Sequence, residues 1–421
     1  MLMKIIYKYF LIIFFLLKCP MAIFPQENKY TEDFLQFWND VNENYSYFDK
    51  KKTDWNKVKE YYLPQAGKAG NRNELITVFE HALEELYDDH FSLNTNLNSS
   101  TRLVPTGLDI WAEWIDGKAI VTEVRKGFSA DIAGVKCGME VISINGVPVE
   151  IAVNNRKGKC IIGSDPEALN YSLRMLLAGT YLKEREITFK QNDNIINIKP
   201  DEARGNLTDS AGYNSLLEFK ILDNNYGYIK FNNSLGETDV IQLFDTALFQ
   251  LKDTKALIID LMETPGGGNT IVARGIMSRF IKNEMPYQKH VLPEDGKEFN
   301  IKRSWLELVS PRGSFTYDKP VVVLVDHWTG SMGEGIAVGF DAIDRAVIVG
   351  TRMAGLNGSI NGFQTINFKI PYSFPAEQLY TVNGTPREYF VPDIFIDLSQ
   401  ADYINIEDPV LNEGIRVLDG K

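Results

Sequence analysis

The 421-residue chain is predicted to be a multidomain α+β protein, with helices first, a β-rich stretch second and an α/β domain last. Three observations carry that prediction. Apolar residues recur at helical spacing through residues 30–88, the period changes to short strands from Leu103, and strand and helix alternate from about Leu216. With 44% hydrophobic and 24% charged residues, the chain can bury a core in each part.

Residues 1–22 predict an export signal. Lys4 and Lys8 precede a run from Tyr9 to Leu17 whose only polar group is a tyrosine hydroxyl, and that run is too short to span a bilayer. Cleavage is expected near Ala22, the alternative being a buried N-terminal helix. A lipid anchor on Cys19 is disfavoured, because Lys18 stands where lipoprotein signals carry a small residue. The mature protein is therefore expected in the periplasm or outside the cell, with no integral span. Removing the three lysines of this segment takes the net charge from -12 to -15, which argues against nucleic acid as a partner. Cys137 and Cys160 then remain, with no spacing suited to zinc; they either pair or serve as small buried hydrophobes.

The helical domain is placed at 26–100. Phe34, Phe37, Trp38, Val41 and Tyr45 share one face, as do Trp55, Val58 and Tyr62, and later Leu75, Val78, Phe79, Ala82 and Leu86. Asp54 is the expected N-cap of the second stretch. The domain closes on Leu86-Tyr87-Asp88-Asp89-His90-Phe91.

Strands are predicted at Ala119–Val124 and Val141–Ile144, the latter closed by Asn145-Gly146. Residues 165–182 read as a helix and 187–198 as two strands. Here Gly107-Leu108-Asp109-Ile110, then Ser129-Ala130-Asp131-Ile132-Ala133-Gly134-Val135-Lys136-Cys137-Gly138, then Ile142-Ser143-Ile144-Asn145-Gly146 resemble a PDZ domain, placed at 103–200. That resemblance implies peptide capture by strand addition, with Gly107, Leu108, Asp109 and Ile110 as the loop that holds a terminal carboxylate. The alternative is a fold kept only as spacer or lid. A polar linker is expected over Gly205–Asn214.

The last domain is placed at 215–400, with residues 401–421 as a tail. Its strands are expected at Tyr228–Phe231, Ala256–Leu261, Val321–Val325 and Val347–Gly350. Its helices are expected near Val240–Leu251, near Ile271–Ile281 and from about Met332. Such alternation builds a largely parallel sheet, and ligands sit beyond the carboxyl ends of its strands, where Gly266 and Ser331 fall.

Two segments carry chemistry. The strand Leu257-Ile258-Ile259-Asp260-Leu261 runs into Pro265-Gly266-Gly267-Gly268, whose backbone can approach a reacting oxygen closely; alone it would be a tight turn. The strand Val321-Val322-Val323-Leu324-Val325 leads to Thr329-Gly330-Ser331-Met332-Gly333-Glu334, placing a serine at a helix N-terminus; alone it would be an N-cap. Together, with the helix ending Asp344-Arg345-Ala346-Val347-Ile348-Val349-Gly350, they resemble the C-terminal processing or tail-specific peptidases over residues 75–396. The resemblance implies an α/β (ClpP/crotonase-like) serine peptidase domain with Ser331 as nucleophile. Met332 would supply one oxyanion amide and Gly266 or Gly267 the other. Neither a metal nor an organic cofactor is implied.

The family's lysine base stands in a Gly-Lys-Gly turn 25 positions after the serine, and this chain has Gly355-Leu356-Asn357-Gly358 there. Leucine accepts no proton, so another base is required. Of the four histidines, His81 and His290 are expected at the surface and His327 in the loop before Ser331. His90 closes the helical domain in a way that resembles the tricorn-like and interphotoreceptor-retinoid-binding-protein-like branch, where a histidine from an N-terminal segment reaches the serine. The alternative for His90 is a structural histidine at a domain junction. That branch has a serine before the histidine; Asp89 stands there in this chain, either as an orienting acid or as an exposed helix-end residue, the second being favoured. The late segment Arg387-Glu388-Tyr389-Phe390-Val391-Pro392-Asp393-Ile394 resembles the branch's Glu-x-x-x-x-Pro-Asp ending, which makes Glu388 the expected orienting carboxylate.

The reading is acyl transfer from a protein or peptide to Ser331, with His90 as base and acid. Its rival is a binding protein that keeps the fold without proteolysis and takes peptide or a hydrophobic ligand in its cleft; a scaffold role ranks last, because it leaves the glycine loop and the serine helix without purpose.

Overall fold

The computed structural model describes residues 28–203, 215–293, 301–398 and 407–420. The expected export signal and the linker at 205–214 lie outside the described residues.

Three helices come first: α1 (Lys29–Asn44), α2 (Trp55–Ala66) and α3 (Arg72–Glu84). Each begins at a side-chain cap, Asn28, Asp54 and Asn71, whose oxygen takes an otherwise orphaned amide. The apolar stripes read from the sequence meet in one core of Phe34, Phe37, Trp38, Val41, Trp55, Val58, Leu75 and Phe79.

A six-stranded antiparallel sheet follows. In chain order it comprises β1 (Ile110–Ile115), β2 (Lys118–Val124), the short α4 (Ser129–Ile132), β3 (Glu140–Ile144), β4 (Val147–Pro148), α5 (Val149–Arg156), α6 (Pro166–Ala178), β5 (Ile187–Gln191) and β6 (Asn194–Ile198). The strand order is β1-β2-β3-β5-β6, with β4 paired to β3. Asn145 and Gly146 both take positive φ, 51° and 77°, the mirror-image turn that Asn-Gly favours between twisted strands. Its core includes Leu108, Ile110, Val121, Val141, Leu173 and Phe189, joined by Trp328 from the next region.

The remainder contains β7 (Leu217–Ile221), β8 (Tyr226–Phe231), α7 (Val240–Gln250), β9 (Ala256–Asp260), α8 (Thr270–Met277), β10 (Met285–Pro293), β11 (Lys302–Val309), β12 (Val321–Val325), α9 (Met332–Ala342), β13 (Val347–Gly350), β14 (Ser359–Gln364), β15 (Pro371–Tyr380), β16 (Ile394–Phe395) and α10 (Pro409–Asp419). One sheet runs β16-β13-β12-β9-β8-β7, parallel except for the β7/β8 hairpin. β9 and β12 are buried at every residue, as strands covered on both faces must be.

Two features differ from the sequence expectation. A second sheet, β11-β10-β15-β14, is antiparallel and was not foreseen. Its strands β14 and β15 carry Phe363, Tyr372 and Phe374 into the helical core, which fastens the N-terminal helices to the rest of the chain. The segment expected as a tail holds α10, whose Val410 and Leu418 pack under the parallel sheet and whose Gly414 lies against Val322 and Leu324. Both cysteines are free, and burial pushes each thiol up to about 12, so the pairing alternative does not hold. Among the described residues no helix is long and apolar enough to cross a membrane.

Candidate active site

The loop after β12 delivers Ser331 to the start of α9 with φ 51° and ψ -105°, a left-handed, strained setting that side chains adopt only where the surroundings hold them. Glu334 supplies that hold. Its buried carboxylate accepts from the Ser331 amide at 2.8 Å and from the Gly355 amide at 3.0 Å, and it faces the Arg387 guanidinium at 3.7 Å. Burial outweighs Arg387 and lifts this carboxyl to about 7. Gly267 leaves the room Ser331 needs, since a Cβ there would collide with Ser331 Cβ and lie 2.9 Å from Oγ.

His90 comes to the serine from the turn that follows α3. Its Nε2 lies 3.1 Å from Ser331 Oγ, and its Nδ1 lies 2.6 Å from the carbonyl oxygen of Asn357. A carbonyl can only accept, so Nδ1 carries the hydrogen and the Nε2 lone pair faces the hydroxyl. Burial lowers the imidazole to about 4, partly countered by the Asn357 carbonyl, and the ring is neutral near pH 7.

The turn occupying the family lysine's place thus acts through its backbone. Leu356 is buried, the Asn357 carbonyl receives His90, and Arg387 donates to the carbonyls of Leu356 and Gly358 at 3.2 Å each. The Asn357 side-chain Nδ2 donates to Asp88 at 2.8 Å, while Asp88 also accepts from Tyr45 Oη at 2.7 Å and from the His90 backbone amide at 2.9 Å. Residue spacing gave no signal for this carbonyl. A turn retained without its lysine was the one available hint.

Other expected residues lie elsewhere. Glu388 does not touch His90: one oxygen pairs with Lys50 and the other is buried without a hydrogen-bond partner, in a cleft of about 400 Å³ that Asn357 also lines. Asp89, favoured as an exposed helix-end residue, is instead buried and bound by Arg174 at 2.8 and 3.0 Å; burial raises its carboxyl to about 6. His290, expected at the surface, is buried between Glu307 at 3.0 Å and Glu377 at 2.6 Å, which together raise it to about 9 against its desolvation. His327 is held by Glu123 and stacked on Trp111, while His81 is exposed as expected.

Of the expected oxyanion donors, Met332 lies at the α9 N-terminus, where the helix dipole favours negative charge. The Gly266 amide donates to Asn233 Oδ1 at 2.7 Å and the Gly267 amide to the Thr264 carbonyl at 3.0 Å. In the expected peptide loop, the Gly107 and Leu108 amides donate to the carbonyls of Leu103 and Pro105, the Leu108 carbonyl accepts from Trp328 Nε1 at 2.7 Å, and the Asp109 carboxylate is held by Arg185. The β1 amide of Trp114 donates to Asn170 Oδ1 at 2.9 Å.

Comparison with known proteins agrees with this picture. The profile described as Peptidase family S41 matches residues 225–396, and that described as Tricorn protease C1 domain matches residues 26–84. A carboxyl-terminal-processing protease of Synechocystis sp. is 25% identical over 344 residues, spanning 79% of this chain and 73% of its own. Among solved structures, mature CPAF aligns with a TM-score of 0.60 at 15% identity, over 93% of this chain and 98% of that one. The photosystem II D1 C-terminal processing protease aligns at 0.54 and 17% identity, over 92% and 97%. At such identities these two structures speak for the fold.

Proposed function

Because this chain belongs to the C-terminal processing peptidase family and is a serine-type peptidase, we propose that it cleaves peptide bonds of protein or peptide substrates through an acyl-enzyme on Ser331. The observation that supports this reading is the 3.1 Å approach of His90 Nε2 to Ser331 Oγ, with Nδ1 tied to the Asn357 carbonyl.

Ser331 Oγ attacks the scissile carbonyl carbon as its proton passes to His90 Nε2. The C–N bond then breaks, and the leaving amine takes that proton. Water, deprotonated by the same nitrogen, releases the acyl group and restores the serine. The neutral imidazole of the resting site suits the first step. Asn357 O orients the ring, and Glu388 supports the site from the cleft wall without direct contact. The Met332 amide holds the developing oxyanion, while the Gly266 and Gly267 amides are already engaged by Asn233 Oδ1 and the Thr264 carbonyl.

In this reading residues 26–100 deliver the base, 103–200 form a PDZ-like module that binds or gates substrate, and 215–400 form a ClpP/crotonase-like catalytic domain. Residues 1–22 direct export and are then removed, and the substrates are exported or misfolded proteins or peptides from them. The loop 107–110 reaches a substrate terminus only after leaving Trp328.

A serine-reactive fluorophosphonate probe tests the proposal. Labelling of the purified mature protein that Ser331→Ala and His90→Ala both abolish is expected. A folded wild-type protein that never labels refutes it.

A further inference from the structure

Two of the backbone amides expected to hold an oxyanion are not open. Gly266 and Gly267 have their amides engaged, by Asn233 Oδ1 and by the Thr264 carbonyl, which leaves Met332 as the open backbone donor among those expected. Asn233 follows β8 with φ 50°, a left-handed conformation, and its own amide donates to the Glu263 carbonyl at 2.6 Å. An N–H can bond only to the oxygen of the carboxamide, so the Gly266 contact fixes which way the Asn233 amide faces. Its Nδ2 is thereby left with two hydrogens and no protein partner among the described residues, half-buried beside the loop. Two consecutive glycines bridge this amide to the nucleophile: a Cβ on Gly266 would lie 2.8 Å from Asn233 Oδ1 and 3.1 Å from Nδ2, and one on Gly267 would lie 2.9 Å from Ser331 Oγ and 3.1 Å from the Met332 amide.

We propose that Asn233 is a further catalytic group, whose Nδ2 donates to the oxyanion formed when Ser331 attacks, opposite the Met332 amide. This rests on the peptidase reading above. The step moves no proton to or from Asn233: the Oγ–C bond forms, the carbonyl pair shifts to oxygen, the serine proton goes to His90, and the carboxamide contributes a hydrogen bond that its clamp on Gly266 has already aimed. A preorganised side-chain donor of this kind is worth roughly 10²–10³ in kcat.

The test is turnover of a quenched fluorescent peptide by the wild type, Ser331→Ala, Asn233→Ala and Asn233→Asp, with melting temperatures measured in parallel. Asn233→Ala is expected to lose roughly 10² or more in kcat with little change in KM. Asn233→Asp keeps an acceptor for Gly266 and so keeps the loop, yet puts a carboxylate where the oxyanion forms; it is expected to be as inactive near pH 7 and to recover part of its rate as acid protonates the carboxyl. Unchanged or increased kcat in folded Asn233→Ala overturns the proposal, because the side chain would then only mask Gly266. A full rate for Asn233→Asp at neutral pH overturns it as well, because the residue would then only clamp the loop. A wild type that does not turn over sinks the peptidase reading itself, a result distinct from either variant outcome.

Discussion

Acid offers the cleanest test of the base. The His90 imidazole sits at about 4 because its half-buried ring is desolvated where it meets Ser331 and Asn357. A solvated imidazole titrates near 6.5, so at pH 5.5 only about a tenth of such groups are neutral, while a group at about 4 is almost wholly neutral. The acid limb of kcat/KM, which reports the free enzyme, should therefore keep nearly its full plateau at pH 5.5, a difference of about tenfold from an ordinary histidine. The linkage sign agrees: a depressed histidine makes the folded state resist protonation, so stability declines as pH falls from 6.5 towards 4. The assay is kcat/KM for a neutral fluorogenic peptide from pH 4 to 9, with melting temperature followed over the same range, because Asp89, Asp260 and Glu334 titrate within it. A limb centred at 6.5 or above in a protein still folded refutes the desolvated dyad.

Glu334→Ala removes the acceptor of the Ser331 and Gly355 amides and leaves Arg387 buried with only carbonyl partners. Breaking a buried ion pair costs about 3–5 kcal/mol, and we take the low end because the pair is 3.7 Å apart and the carboxyl sits at about 7. At roughly 2–4 °C per kcal/mol, calorimetry should record a melting point about 6–12 °C lower, and a change under about 2 °C would contradict the role assigned to this residue. His290, raised to about 9 by Glu307 and Glu377, adds stability that is complete below about 6.5 and lost as pH rises through 9. Glutamine at position 290 should flatten that decline in denaturant titrations, and an identical slope in both proteins would count against the pairing of His290 with Glu307 and Glu377.

The features legible in the sequence are those set by neighbours along the chain. The stripes led by Phe34 and Leu75, the cap at Asp54, the Asn145-Gly146 turn and the apolar runs β9 and β12 follow from local spacing, because helix and strand periods sort side chains by face whatever the rest of the protein does. The glycine loop and the serine helix were legible for the same reason. β11 was not, because six of its eight residues are exposed and its register depends on β10. Long-range contacts decided the rest. His90 meets a serine 241 positions away and a carbonyl 267 positions away, and no spacing rule reaches across such intervals. Asp89 is buried because α6 brings Arg174 to it, and His290 is charged because two other strands each bring a glutamate. By itself the sequence determined that a serine stands at a helix start and that position 356 is a leucine. Only the tertiary structure decided that the Asn357 carbonyl holds His90 against Ser331, because hydrogen bonding depends on where a carbonyl points rather than on which side chain it belongs to.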